Sequence, residues 1–432
     1  MKFTKMSLVA ALLMGSSAFA IENTKVSGDA NVYYHTQDAA NSTLATGKGD
    51  LFEAQNSAAD IGINLNLTTD LLKNDSVAIS AGAGYTVLTT LGLENNLVGN
   101  VWGSAHTAEI GTGSTYGGSP GQVGGAKVNN AAWVNEAWVA ATAGKSTVKV
   151  GRMELDTPLA FTEKWTIEKN TFEAAVLINQ DIPDTTLVGA FIGNGNGTPD
   201  GAIAVDGTAV RANLAMGGVV NSNGDFSTYG KDGAYAVGAV NNSWKPLTVQ
   251  AWYYDVTRVA TAYWLQGDLD LTSVGVDGLT MGGQYTGITA DAAGSEENLA
   301  VAAMIGYAMK DTFSAKLAYS QVTSKGGAGG NTATASGQSK LYTEAWWNYG
   351  QVTTAGAKSV NLTVEAPTSV ADLGLYVTSV DHNAANTDLL EATVTATKSM
   401  GPVDATVAYI YTDVDNNTDA VNALQVYLTV NF

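Results

Sequence analysis

Apolar residues recur at every second position along most of this chain, and that spacing restricts the backbone before any motif is read. A period of two puts successive side chains on opposite faces of an extended strand. Ile61, Ile63, Leu65 and Leu67 share one face, while Asn64 and Asn66 take the other. The pattern returns in Val77, Ile79, Ala81, Ala83, Tyr85 and Val87, in Leu247, Val249, Ala251 and Tyr253, and in Phe313, Ala315, Leu317 and Tyr319. It also ends the chain, where Leu424, Val426, Leu428, Val430 and Phe432 alternate with Gln425, Tyr427, Thr429 and Asn431.

The second face decides the class. In a β-sandwich the outer face is charged and solvated. Here it is mostly Asn, Gln, Thr, Ser and Gly, and charged residues make up only 14% of the chain, against roughly 25% in an ordinary soluble chain. Mean hydropathy is +0.03, too polar for a bundle of spanning helices. The charge-free stretch Val77 to Leu93 is broken by Gly82, Gly84 and Gly92 and keeps the strand period. A closed barrel is the other backbone that satisfies its own hydrogen bonds in lipid. The expected fold is therefore all-β, a transmembrane antiparallel β-barrel with its apolar face outward and its polar face toward a wet lumen.

Turn chemistry refines the count. Tight turns are expected at 143–146, 242–246, 309–311 and 399–402, and longer loops at 35–57, 88–130, 194–232, 288–297, 323–357 and 414–420. Twenty stretches alternate. Two of them, near 209–219 and 340–348, break the alternation of short and long connections unless they belong to external loops. Eighteen strands result, with both termini on the periplasmic side; sixteen is the alternative. Tyr33, Tyr34, Tyr85, Tyr253, Tyr254, Tyr307, Tyr409, Tyr411 and Phe432 fall near expected strand ends, where aromatic girdles sit.

The N-terminus carries an export address. Lys2 and Lys5 precede the short apolar run Met6 to Met14, and Ala18-Phe19-Ala20 offers a small-x-small cleavage site after Ala20. Residues 1–20 read as a signal peptide and 21–432 as one barrel domain. The formal net charge of −19 becomes −21 once both lysines are removed. Clustered Lys and Arg, which phosphate contacts require, are missing, so nucleic acid is excluded as a partner. Without Cys, thiolate metal sites and thiol catalysis are excluded as well. The three histidines, His35, His106 and His382, lie far apart, the first two in expected external loops. Asp381 and His382 are neighbours on a strand and face opposite ways, so no relay is formed and no catalytic residue is expected.

Several segments resemble known proteins. The alternating C-terminus ending in Phe432 looks like the signature read by outer-membrane assembly machinery. Val148-Lys-Val-Gly-Arg-Met-Glu-Leu-Asp-Thr-Pro-Leu159 resembles the strand leading into the constriction loop of OprD-type porins. It is more similar still to the Campylobacter-type major outer membrane porin family. Val249 to Thr257 and Tyr342-Thr-Glu-Ala-Trp-Trp347 resemble segments of the same group. The resemblance implies an eighteen-stranded homotrimeric porin, set among lipid and lipopolysaccharide, that passes ions and small hydrophilic solutes by diffusion. OprD-type channels line one wall with an arginine ladder. This chain has three Arg in all, with Arg152 alone near the constriction, so their carboxylate and basic amino-acid specificity does not carry over.

Residues 152–171 are the candidate constriction loop, charge-dense for this chain, with Glu154, Asp156, Glu163 and Glu168 against Arg152, Lys164 and Lys169. Opposed charges across a narrow lumen make a transverse field that favours dipolar solutes. The alternative is an external loop with solvated pairs. Strand parity adds Asp60, Asn64, Asn66, Gln250, Gln284, Glu365, Glu391 and Gln425 to the lumen wall, with Lys149 and Lys316 as its bases. Excess carboxylate there predicts a preference for cations. No cofactor or metal site is assigned. Asp413 to Asp419 imitates a calcium loop but lacks its sixth-position Gly and twelfth-position Glu. The glycine-rich runs 193–197 and 326–330 read as outer loops. A surface barrel acting as adhesin or envelope anchor is the competing function.

Overall fold

The alternating stretches are strands in the computed structural model, which describes residues 22–38, 49–53, 56–93, 97–98, 131–165, 167–197, 219–220, 224–334, 337–382, 387–415 and 419–432. The first strands are β1 (Glu22–Gln37), β2 (Ser57–Lys73), β3 (Ala78–Thr89), β4 (Ala131–Ala143), β5 (Ser146–Met153), β6 (Phe172–Asn179) and β7 (Thr185–Gly195). After the two-residue β8 (Ser227–Thr228) come β9 (Ala234–Asn241), β10 (Leu247–Val256), β11 (Ala260–Asp270), β12 (Leu279–Ala290), β13 (Asn298–Met309) and β14 (Phe313–Val322). The last are β15 (Lys358–Pro367), β16 (Asp372–Asp381), β17 (Leu389–Met400), β18 (Val403–Val414) and β19 (Val421–Asn431).

Neighbours in sequence pair antiparallel, and β1 pairs with β19 from Asp29↔Asn431 to Gln37↔Ala423, closing the sheet. β8 only lengthens one ladder, because β7 pairs directly with β9. The result is a closed barrel of eighteen long strands among the described residues, the number expected from the alternation. Both termini lie at one end, where the connections are short, as at 144–145 and 401–402. The other end carries the long ones, with the three-residue 257–259 as an exception. Residues 340–348 form no strand. Most of 209–219 and most of 88–130, His106 included, lie outside the described residues. So do Ala20 with the rest of 1–20, and 416–418 of the calcium-like loop.

The two faces are inverted relative to a soluble protein. Val139, Leu177, Val237, Leu265, Leu317 and Val394 are exposed on the outer surface, whereas Asn361, Thr378, Thr393 and Gln425 are buried inside. In a closed sheet with a period of two, no other placement is open to them. Two expectations about aromatics and histidine are corrected. Tyr85, Tyr253, Tyr307, Tyr409 and Phe432 are exposed, but Tyr33 and Tyr254 are buried and point inward. They hold odd positions relative to Val32 and Tyr253, so the pleat sends them to the lumen. His35 belongs to β1, not to a loop, and is buried against Trp347 with ring centroids 5.5 Å apart.

Candidate pore constriction

The wall ends at Met153 and resumes at Phe172, and the intervening chain crosses the lumen. Leu159 N donates to Tyr254 Oη on β10 at 3.4 Å, and Asn64 Nδ2 on β2 donates to Ile167 O at 3.1 Å. Gly62, also inward-facing, makes room for the second contact, since a Cβ there would lie 2.5 Å from Ile167 O. This first inward loop, 154–171, therefore touches strands on both sides of its own.

Its charges are paired in a compact set. Lys169 Nζ donates to Glu136 Oε1 on β4 at 2.6 Å and also to Glu154, whose other oxygen accepts from Lys164. Burial works against the charge on Glu154, yet Lys169 and Lys164 hold its carboxyl below the usual range. Burial likewise opposes the ammonium of Lys169, and Glu154 with Glu136 outweigh it and raise its pKa. Arg152 on β5 donates from Nε to Glu173 Oε1 at 2.8 Å and from Nη1 to Val134 O at 3.0 Å. Its neighbour Lys149 places its ammonium 4.1 Å from the Trp138 ring centroid, a contact that favours a cation over the ring face. Asp156 pairs with Lys340.

Two of the candidate acids do different work. Glu163 is buried and accepts from Asn331 Nδ2 at 2.8 Å, from Thr334 and from Trp165 Nε1 at 2.9 Å. It fastens this loop to residues 331–334 and does not line water. Glu168 is buried too.

Those contacts reveal a second inward loop, 323–357, which the sequence reading placed outside. Glu391 on β17 is fully buried, and its carboxylate accepts from the main-chain N–H groups of Trp346 (2.8 Å), Trp347 (3.1 Å) and Asn348 (2.7 Å) and from Asn348 Nδ2 (2.8 Å). It anchors this loop and is not free to meet a solute. Gln284 Nε2 donates to Lys340 O at 2.8 Å, and Lys316 Nζ donates to Tyr342 O at 2.8 Å. Gly282 admits the Tyr342 hydroxyl, which bonds Asp268. Within the loop Glu344 accepts from Ser339 N (2.6 Å), Ala345 N (3.0 Å) and Gly350 N (3.1 Å). The glycine-rich run 326–330 belongs to this loop, with Ala328 buried, so it is not an outer loop. A Trp-Trp pair in a supposed surface loop was the one sequence signal of burial.

Other wall candidates divide by level. Gln425 is buried beneath Tyr427, whose hydroxyl donates to it at 2.7 Å, and Asn64 and Gln284 are likewise covered. Asn66, Gln250 and Lys149 are partly exposed, and Glu365 is exposed. Asp60 lies in β2, with its side chain outside the described set. Toward the termini the wall adds Asp29, Asp268 and Asp404, which sequence parity had not singled out. Between the first loop and this wall lies a cavity of about 660 Å³, bordered by Asp29, Asn31, Asn66, Lys164, Trp165 and Trp346 among others. Among the described residues no group of three or more His, Asp and Glu could hold a metal ion.

No protein-family model and no curated protein matches this sequence. Solved structures do resemble the fold. OccK9 (OpdG) of Pseudomonas aeruginosa superposes with a TM-score of 0.71 at 14% identity, over 95% of this chain and 99% of that one. OpdK of the same organism gives 0.68 at 12%, over 95% and 99%, and OccAB4 of Acinetobacter baumannii gives 0.68 at 10%, over 96% and 99%. The eighteen-strand barrel of this chain thus has the fold of these three structures over nearly its whole length.

Proposed function

We propose that this chain is an outer-membrane porin of a Gram-negative bacterium, forming a water-filled channel for passive diffusion of ions and small hydrophilic solutes. The observation that carries this reading is the inverted barrel. Each large apolar side chain left in water forgoes roughly 1.5–3 kcal/mol of burial, and they cover the outer wall, so the surrounding medium is lipid. The polar lumen, narrowed by a charged inward loop, is what a diffusion channel requires. The solved Occ structures share the barrel fold, and the second loop turns inward, which removes one long surface that an adhesin would use.

The channel prefers cations in this reading. Asp29, Asp268, Asp404 and Glu365 project toward the lumen near the termini, while the nearby base Lys316 is engaged with Tyr342 O. The bases of the constriction are already compensated by Glu136, Glu154 and Glu173. A homotrimer embedded in lipopolysaccharide, cleavage after Ala20 and the nearer likeness to Campylobacter-type porins complete the proposal and rest on the sequence resemblance.

The test is a planar bilayer holding the purified protein, with single-channel conductance and reversal potential recorded across a KCl gradient. Stepwise openings and a cation-selective potential are expected, with Lys169→Met moving the potential further toward cations by uncovering Glu136 and Glu154. A folded barrel without conductance would overturn the channel. Anion selectivity would overturn the charge assignment alone.

A further inference from the structure

The cavity of about 660 Å³ beside the first inward loop is within the size range of small-molecule sites, and its walls differ from the rest of the lumen. Trp165 from the first loop, Trp346 and Tyr349 from the second, and Tyr427 from β19 border it. Trp165 and Tyr349 hold each other with ring centroids 5.4 Å apart, and Trp346 rests on Tyr376 at 6.3 Å, so the rings are braced before any solute arrives. Facing them are amides and hydroxyls of four strands, including Asn31, Asn66, Thr406 and Thr429. Thr429 Oγ1 donates to Asn31 Oδ1 at 2.7 Å, which orients that amide.

The charged groups bordering the cavity are Asp29, Glu154, Lys164, Glu168 and Lys169, and both ammonium groups among them are already paired. Lys164 and Lys169 meet Glu154, Lys169 also meets Glu136, and Asp29 accepts from Asn31 and, at 2.8 Å, from Asn64 Nδ2. An entering anion meets the carboxylates of Asp29, Glu154 and Glu168 and finds both ammonium groups already paired, and an entering cation finds Glu154 and Asp29 already engaged. A neutral solute needs no counter-charge. Flat aromatic faces opposite fixed amides suit a molecule with apolar C–H faces and a rim of hydroxyls.

We propose that this cavity is a binding subsite for neutral saccharides of one or two rings, which stack on the Trp165, Trp346 and Tyr349 rings and hydrogen-bond to the Asn and Thr rim. The assignment rests on the channel reading above and narrows it to a solute class. A solute bound there occupies the path beside the constriction and interrupts ion flow.

Maltose added to the reconstituted channel tests this. A saturable block is expected, whereas a polyethylene glycol of equal hydrodynamic size lowers the current only in proportion to its concentration. Trp346→Ala and Asn31→Ala each raise the half-blocking maltose concentration about tenfold, a loss of about 1.4 kcal/mol, and Trp346→Phe recovers most of it. Heat-modifiable electrophoretic mobility verifies that each variant is a folded barrel. Maltose acting no better than the polyether, or choline blocking more strongly than maltose, overturns the subsite while leaving the channel intact. A barrel that fails to conduct counts against the channel alone, and quenching of tryptophan fluorescence by maltose in detergent then decides the subsite, with no quenching overturning it.

Discussion

The two inward loops are fastened by opposite means. The first, 154–171, relies on charged side chains: Lys169 reaches Glu136 on the wall strand β4, and Asp156 pairs with Lys340 of the second loop. The second, 323–357, offers its own backbone, and the wall supplies the charge through Glu391. An exposed ion pair such as Lys340 with Asp156, whose carboxylate is 90% exposed, contributes little, about 0–1 kcal/mol. Hydrogen bonds to a buried carboxylate contribute about 1.5–3 kcal/mol each. The second loop is therefore the scaffold, and the first, propped against it through Glu163 and Asn331, carries the paired charges.

That contrast breaks most visibly at Glu391. Glu391→Ala strands three buried main-chain donors, at about 1–3 kcal/mol apiece, so a loss on the order of 5 kcal/mol is expected for docking of the second loop. Limited proteolysis between 323 and 357 should become fast, and the conductance noisy, while the heat-modifiable mobility of the barrel persists. Protease resistance equal to that of the unaltered protein would refute the anchor.

A smaller effect separates the loops by pH. Glu344 is half-buried within the loop, and burial pushes its carboxyl up to about 7 despite the N–H groups of Ser339, Ala345 and Gly350 that favour its charge. Its titratable neighbour is Tyr349, on which Glu163, Glu391 and Tyr427 also act. The raised value means that the docked loop holds this proton more tightly than a free loop does. Docking is then firmest below the ordinary carboxyl value of 4.5 and weakens as pH climbs to about 7, by on the order of 3 kcal/mol in all. Tryptophan fluorescence from Trp346 and Trp347 should follow a transition in that interval, and Glu344→Gln should abolish it. A transition that survives in Glu344→Gln assigns the proton elsewhere.

The barrel was legible because period two is a property of each strand by itself, visible in Ile61 to Leu67 without knowledge of any partner. The first loop was legible for a related reason: seven charged residues in 152–171 stand out in a chain with so few. The second loop was not. Glu391 obeys the same inward parity whether it lines water or clamps a backbone, and an N–H donor leaves no mark on the sequence at 346–348. Glu163 misled in the other direction, since its residue type promised an exposed charge, and its role as a tie depends on Asn331 and Thr334, far away in sequence. Strand periodicity locates a wall, and loop docking is decided by pairs that periodicity does not couple.

The mildest perturbation reaches the first loop without touching the second. Gly62 is buried under Ile167, and Val at this position suits a strand but puts a Cβ 2.5 Å from Ile167 O. Overpacking of this kind costs about 1–3 kcal/mol. The barrel can avoid it by letting the loop move toward the lumen axis, breaking the Asn64 to Ile167 bond of 3.1 Å. Gly62→Val should therefore lower single-channel conductance while leaving thermal stability of the barrel close to unaltered. Gly189→Val is the matched control, because a Cβ at Gly189 meets nothing within 4 Å. Equal conductance in the two variants would show that contact at Gly62 does not position the constriction. A difference confined to Gly62→Val would show that one inward-facing hydrogen atom sets how far the charged loop stands from the wall.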